Sequence, residues 1–247
     1  MHGMNHWKDR VALVTGVSGG IGEATARALV AQGMKVAGCA RSDLSALSQD
    51  LGDRFLPVGC DLRDEGQIAA MFDAVEARWG GVDVLVNNAG LGFDAPLLDG
   101  PVDRWREMLE VNVLALSICT WRAVRSMRQR GNDGVVVHVS SMSAHRVPPN
   151  GGVYSATKHA VKALAEGLRQ ELHAAGSGIR VAQVSPGFVQ TGFAANFHQS
   201  EEQGRAVYAR YKVLDATDVA EAIVFVLSQP PHVAVHDILL RPTAQSN

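Results

Sequence analysis

The sequence predicts one doubly wound α/β domain of Rossmann type: a seven-stranded parallel sheet with helices on both faces. Three observations carry this. Seven short apolar runs recur along the chain, segments of helical period separate them, and no linker, repeat or low-complexity stretch interrupts the series. Such alternation is satisfied by right-handed strand–helix–strand crossovers, which cover both faces of a parallel sheet. The first run, Val11 to Thr15, is nearly continuous in apolar and β-branched residues, as befits a strand buried on both sides. Residues 21–31 then place apolar side chains at three- and four-residue steps and predict a helix. Lys35 to Ala40 and Leu56 to Cys60 are the second and third strands, and residues 65–79 are again helical in period. Val82 to Val86, Gly134 to Val139, Ile179 to Val184 and Ile238 to Leu240 complete the sheet. A single domain over residues 1–247 follows.

One long region, residues 188–214, has no strand pattern. It carries Phe188, Phe193, Phe197, Tyr208 and Tyr211 and follows the sixth strand. A segment of that length inside a compact domain is usually functional or mobile. It is expected to be a substrate lid.

Composition narrows the function classes. Apolar residues make up 47% and charged residues 19%, which excludes disorder. A net charge of -2 offers no basic excess for nucleic acid and no polybasic stripe for a membrane surface. No apolar run approaches the ~20 residues of a spanning helix, and the first residues lack the apolar core of a signal peptide. The cysteines, Cys39, Cys60 and Cys119, are scattered and odd in number, so a reduced, cytoplasmic setting is expected. No histidine pairs with a cysteine at ligand spacing, and no protein-bound metal is expected.

The first strand runs into Thr15-Gly16-Val-Ser18-Gly-Gly20-Ile21-Gly22 and then a helix. Glycines permit a tight turn and a close approach of backbone to phosphate. The helix start offers unpaired N–H groups and the positive end of a dipole. Strand before and helix after make this a dinucleotide site rather than a glycine-rich turn. The second strand ends in Ala40-Arg41-Ser42, where an NAD-binding chain would carry a carboxylate for the ribose hydroxyl. Arg41 suits the extra phosphate of NADP through a charge-assisted fork, although a solvated arginine at a strand end also accounts for it. Asp61, before Leu62, could receive the adenine amino group or merely cap a turn.

The fourth strand ends in Asn87-Asn88-Ala89-Gly90 and the fifth in Ser140-Ser141-Met-Ser143. Ligands in such sheets sit beyond the carboxyl ends of the strands, so both ends should face one crevice. Tyr154 and Lys158 follow, four apart in a helical stretch and therefore on one face. An ammonium beside a phenol favours the phenolate, so the Tyr154 pKa is expected to fall. The chain resembles the short-chain dehydrogenases/reductases over essentially its whole length, in the glycine spacing, the Asn-Asn-Ala-Gly element, the serine and Tyr-x-x-x-Lys. Several longer stretches, such as Ser141 to Val147 and the tail Arg241 to Gln245, resemble its member 11 subgroup, a set of NADP-dependent carbonyl and ketosteroid reductases. The tail is also similar to that of NADP-dependent 3-hydroxy acid dehydrogenases.

That resemblance implies roles. Tyr154 would protonate the carbonyl oxygen during reduction. Lys158 would hold the nicotinamide ribose, and Ser141 would bind the developing alkoxide. Asn112 would anchor a water that passes protons to Lys158. Asn88, Ala89, Gly90, Pro186, Gly187, Val189 and Thr191 would lie along NADP(H). The substrate would be a small carbonyl or alcohol, bound by Phe93, Ser143, Val147, Phe188 and the lid in a pocket with few cations. His145 reads as packed or solvated more readily than as a substrate contact. A non-catalytic NADP-binding sensor is the competing class, and it has no need of Ser141, Tyr154, Lys158 and Asn112 together. The family is mostly oligomeric, so a homodimer or homotetramer is expected, joined through helices 105–127 and 153–172.

Overall fold

Two β-branched runs, Val11–Thr15 (β1) and Val84–Asn87 (β4), pair in parallel at the centre of a seven-stranded sheet. The structure, a computed structural model, describes residues 3–246. After β1 come α1 (Gly20–Ala31), β2 (Lys35–Ala40), α2 (Ser45–Leu51), β3 (Phe55–Gly59) and α3 (Glu65–Trp79). β4 leads to α4 (Val102–Leu109), a π-helical turn at Glu110–Ala115, α5 (Leu116–Gln129) and β5 (Asp133–Val139). The remainder is α6 (Gly152–Ala174), β6 (Gly178–Pro186), α7 (Phe193–His198), α8 (Glu201–Tyr208), α9 (Ala216–Ser228) and β7 (Asp237–Leu240).

The strand order is β3-β2-β1-β4-β5-β6-β7, and every pairing is parallel. The winding reverses between β1 and β4, which opens a crevice beyond the carboxyl ends of those strands. Alternation along β1 feeds two cores. Ala12 and Val14 pack with Leu29 of α1 and Ile223 of α9, while Val11 and Leu13 pack with Met71 of α3, Cys119 of α5 and Leu172 of α6. All five β1 residues are buried, which explains its unbroken apolar run.

Local chemistry sets the boundaries. Asp64 caps α3 by accepting from Gly66 N (2.8 Å) and Gln67 N (3.1 Å), and Gly80 ends it in the left-handed region. The fourth strand begins at Val84 rather than Val82 because the Val82 N–H goes to Ser126 Oγ (2.9 Å), away from the ladder. Residues 188–214 are helical for much of their length and are pinched shut at their ends. Val189 and Leu214 form a parallel bridge, with Gln190 N donating to Leu214 O (2.8 Å) and Leu214 N to Phe188 O (3.0 Å).

At the opposite end of the sheet, buried Asp83 accepts from Val11 N (2.8 Å), Arg10 Nη2 (3.1 Å) and Arg130 Nε (3.1 Å). Burial raises its pKa, but the Arg130 hydrogen bond, the Val11 N–H and both guanidinium charges together hold it below the usual carboxylate value. The two arginine side chains keep 23% and 28% of their area in water. Asp83→Asn is therefore expected to cost roughly 1–3 kcal/mol, less than the ~3–5 kcal/mol of breaking a fully buried pair. A carboxyl whose folded pKa is depressed contributes its full stability above its unfolded value of about 4 and loses it as pH falls through the folded value. Urea unfolding should thus show the wild-type advantage widest at neutral pH and shrinking toward pH ~3; a constant gap would remove the charge from the argument.

Candidate active site

The glycine turn is fastened before anything binds it. Gly16 N and Val17 N donate to Cys39 O (2.9 and 3.1 Å), which ties the turn to β2. Asn88 Nδ2 donates to Thr15 O (2.9 Å) and Gly16 O (3.0 Å). Thr15 Oγ1 accepts from Asn88 N and Ala89 N at 3.0 Å each. Gly16 has a φ of 74°, open to few other residues. A Cβ on Gly22 would stand 2.1 Å from Gly16 O, so α1 can close under the turn only with glycine there. A Cβ on Gly19 would meet nothing within 4 Å. The turn thus presents open space and the amides of a helix start, which fits a diphosphate.

Tyr154, Ser141 and Lys158 converge on the same crevice. Ser141 Oγ accepts from Ser143 N (3.0 Å) and caps a short 3-10 turn at Met142–Ala144. Tyr154 is packed against Phe193 and Phe197, with ring centroids 5.5 and 6.3 Å away. Burial pushes its phenol up to about 12, and the Ser141 hydroxyl draws it back only in part. The expected fall in this pKa does not occur, because desolvation outweighs the Ser141 hydrogen bond. Lys158 Nζ lies 5.8 Å from the Tyr154 ring centroid and donates to Val139 O (3.0 Å); burial lowers its pKa to about 8.

Asn112 sits in the π-helical turn with its side chain fully committed. Nδ2 donates to Leu91 O (2.7 Å) and Thr157 Oγ1 (3.0 Å), and Oδ1 accepts from Leu91 N (2.9 Å). It fastens the loop after β4 to α6. A Cβ on Gly90 would lie 3.3 Å from Asn112 Oδ1 and 3.5 Å from Lys158 Nζ, so glycine leaves room beside both. Beneath, Asn87 Nδ2 donates to Thr120 Oγ1 (2.9 Å) and lies 3.2 Å from His138 Nδ1. His138 is fully buried, its pKa lowered to about 4, and it is neutral at physiological pH.

A cleft of about 1030 Å³ joins these parts. It runs from Arg41, Asp61 and Leu62 past Gly16, Ser18, Gly20 and Ile21, then Asn88, Ala89 and Gly90. It ends at Ser141, Tyr154 and Lys158, under Pro186, Gly187, Val189 and Thr191. Ser140 Oγ, on its wall, is buried without a hydrogen-bond partner, a polar group awaiting a ligand. Gly22 lies below the turn rather than on the cleft. Ser42 and Arg41 line an adjoining hollow of about 560 Å³ with Ser45 and Ser48. Among the described residues Arg41 has neither an ion pair nor a hydrogen bond. Asp61 is held by the Arg63 guanidinium, which lowers its pKa to about 2. Its side chain takes the turn-forming role that the sequence left open.

Several expected pocket residues lie elsewhere. Phe93 is buried beneath the Arg104 guanidinium (4.4 Å) in a small core with Met108. His145 Nε2 lies 3.1 Å from Asp237 Oδ2 at the β7 edge, and Val147 is 64% exposed outside the cleft. Tyr211 also stands apart, while Ser143, Phe188, Phe193, Phe197 and Tyr208 do line it. The expectation of few cations fails: Arg146 and Arg210 line the cleft too.

Comparison with known proteins agrees with this geometry. Residues 10–202 match the family described as short chain dehydrogenase. The chain is 51% identical over 253 residues to dehydrogenase/reductase SDR family member 11 of Bos taurus, covering 98% of this chain and 99% of that one. It is 38% identical over 251 residues to farnesol dehydrogenase of Aedes aegypti, covering 98% and 99%. The closed form of serine dehydrogenase complexed with NADP+ superposes with a TM-score of 0.92 at 31% identity, covering 96% of each chain.

Two glycines of the turn separate fold from tolerance. Gly22→Ala drives a methyl into the Gly16 carbonyl and is expected to cost ~1–3 kcal/mol, as overpacking does. Gly19→Ala meets open space and should stay within about 0.5 kcal/mol of wild type. Thermal unfolding of the two variants without ligand checks this, and equal losses would show that the turn is not set by the Gly16–Gly22 approach.

Proposed function

The chain belongs to the short-chain dehydrogenase/reductase family and is an oxidoreductase, and on that premise we propose that it moves a hydride between NADP(H) and a ketone, aldehyde or secondary alcohol on an apolar skeleton. The observation that carries this reading is the meeting of Ser141, Tyr154 and Lys158 in one cleft with the glycine turn. When bound, the nicotinamide supplies or receives the hydride.

The chain's own groups do the rest. The glycine turn and the first amides of α1 receive the diphosphate. Arg41 and Ser42 receive the ribose phosphate, and Arg41's freedom from other partners supports that assignment. Lys158 holds the nicotinamide ribose. Ser141 donates a hydrogen bond to the substrate oxygen as charge develops there. Tyr154, held protonated by burial, gives its proton to that oxygen. Asn112 has both Nδ2 hydrogens committed and its Oδ1 taken by Leu91 N, so its main-chain carbonyl is the acceptor we assign to a water relay toward Lys158.

Residues 188–214 are a lid in the closed position. Phe193 and Phe197 pack on Tyr154 and shield it in part from water, and drier surroundings strengthen the contacts at the reacting oxygen. The aromatic lining suits an apolar substrate such as a ketosteroid or dicarbonyl, and the likeness to farnesol dehydrogenase supports it. The likeness to serine dehydrogenase supports the competing class, a 3-hydroxy acid. We also infer a homo-oligomer, since Leu109, Leu114, Trp121 and Leu164 are exposed on α4, the π-helical turn, α5 and α6. Among the described residues no helix is long and apolar enough to cross a membrane.

NADPH and NADH oxidation against a panel of carbonyl compounds tests the reaction. Arg41→Ala is expected to raise the KM for NADPH at least tenfold, since a hydrogen bond to a charged group contributes ~1.5–3 kcal/mol. NADH should be almost unaffected, and equal losses for both cofactors would sink the assignment.

Tyr154→Phe should lower kcat by ~10²–10⁴-fold with cofactor still bound. In the wild type, kcat/KM for carbonyl reduction should decline above about pH 8 as Lys158 loses its charge, with the Tyr154 proton still in place. Retained turnover in the variant, or a wild-type profile flat well above pH 8, would require another acid or another role for Lys158.

A further inference from the structure

The substrate end of the cleft holds more positive charge than the proposed reaction uses. Arg146 enters from the loop between Ser141 and Tyr154, together with Pro148, Pro149 and Gly151. Its Nε is buried and has no hydrogen-bond partner. A buried donor left unpaired costs on the order of 1–3 kcal/mol, more when charged, so an acceptor brought by a ligand would relieve that cost. Arg210 faces the same cleft from the chain just beyond α8. It is exposed and has no ion pair or hydrogen bond among the described residues.

No carboxylate of the cleft answers them. Asp61 is the one acidic residue on its wall among the described residues, and Arg63 holds it. Lys158 donates to Val139 O and is assigned to the nicotinamide ribose, and Arg41 lies at the far end against the adjoining hollow. Arg146 lines the cleft from the loop that joins Ser141 to Tyr154, both of which line it too. One guanidinium stands on the fixed wall and the other on the lid, so an anion between them would also hold the lid closed.

We propose that Arg146 and Arg210 form a carboxylate-binding subsite, so that the preferred substrate is a ketone or alcohol whose apolar skeleton carries an acid group. Guanidinium pairs with carboxylate through two parallel hydrogen bonds, which orients the carbonyl as well as binding it. The inference rests on the hydride-transfer reading above.

Levulinate and methyl levulinate test it, because they share a ketone and differ in charge. With NADPH, the wild type is expected to favour levulinate at least tenfold in kcat/KM. Arg146→Gln and Arg210→Gln should each lower the acid-to-ester ratio, Arg146→Gln by roughly 10- to 150-fold. Arg146→Lys, which keeps the charge and loses the fork, should recover part of it. The loss should appear in KM for the acid, and the ratio cancels any general loss of active protein. Raised salt should weaken the acid preference. An ester reduced as well as the acid overturns the subsite and leaves the reaction standing, as does a ratio unchanged in both glutamine variants. Reduction of neither ketone overturns both.

Discussion

The hydrogen bonds between the ends of β1 and β4 are what the site depends on. Thr15 and Asn88 exchange them in both directions: the Thr15 hydroxyl takes two amides of the β4 exit, and the Asn88 amide takes two carbonyls of the β1 exit. This lock falls where the sheet's winding reverses, the one place where two crossover connections part and leave a crevice. It fixes the glycine turn on one side and the Ala89–Gly92 loop on the other. Gly90 then passes beside Lys158 and Asn112, and Gly92 lies so close to Tyr154, Phe193 and Phe197 that a Cβ would come within 3.0 Å of all three. One set of hydrogen bonds therefore registers the nucleotide end against the chemical end, and a residue lost there would be felt at both.

Burial governs the chemistry more than pairwise charge does. The sequence argument weighed one ammonium against one phenol and expected a lowered pKa. In the folded chain burial raises the phenol and lowers the lysine, and an ammonium 5.8 Å from the ring centroid does not offset it. The outcome is a neutral phenol beside a lysine whose charge is only moderately secure. That arrangement suits proton donation to an alkoxide, which needs an acid that is present at neutral pH rather than one already ionised. The hydroxyl of Ser141 is the counterweight, since it alone draws the phenol back toward its ordinary value.

Legibility followed the locality of each signal. The strands and α3 were readable because burial on both faces and a capped, glycine-terminated helix are written in consecutive residues. The glycine turn, Arg41, Ser141, Tyr154 and Lys158 were readable because each sits at a strand end or at helical spacing. Asp61 was ambiguous because its partner, Arg63, could as well have faced solvent. Arg146 and Arg210 were not readable at all. They are 64 positions apart in the sequence and line one cleft only in the folded chain, Arg146 from the loop between β5 and α6 and Arg210 from the chain beyond α8. His145 read as packed or solvated although it lies four positions past Ser141, and its Nε2 sits 3.1 Å from Asp237 Oδ2.

The proposed lid faces an energetic constraint of its own. Closed, it stacks two phenylalanines on Tyr154 and seats Thr191 against Gly20, and aromatic pairs of this kind contribute ~0.5–1.5 kcal/mol each beyond area burial. Tyr154 is partly buried and lines the cleft, so opening of the lid would widen the access that the cleft already gives it. The Val189–Leu214 bridge holds both feet of the segment together, so opening is confined to the chain between them. A closed-state preference of a few kcal/mol still leaves the open form populated at the per cent level or below. A ligand deepens closure only through contacts that exist in the closed form alone. The aromatic packing of the lid on Tyr154 involves no ligand atom and supplies no such difference. A polar group on the moving side with no partner does, which is why the charge at Arg210 matters to the lid as much as to recognition.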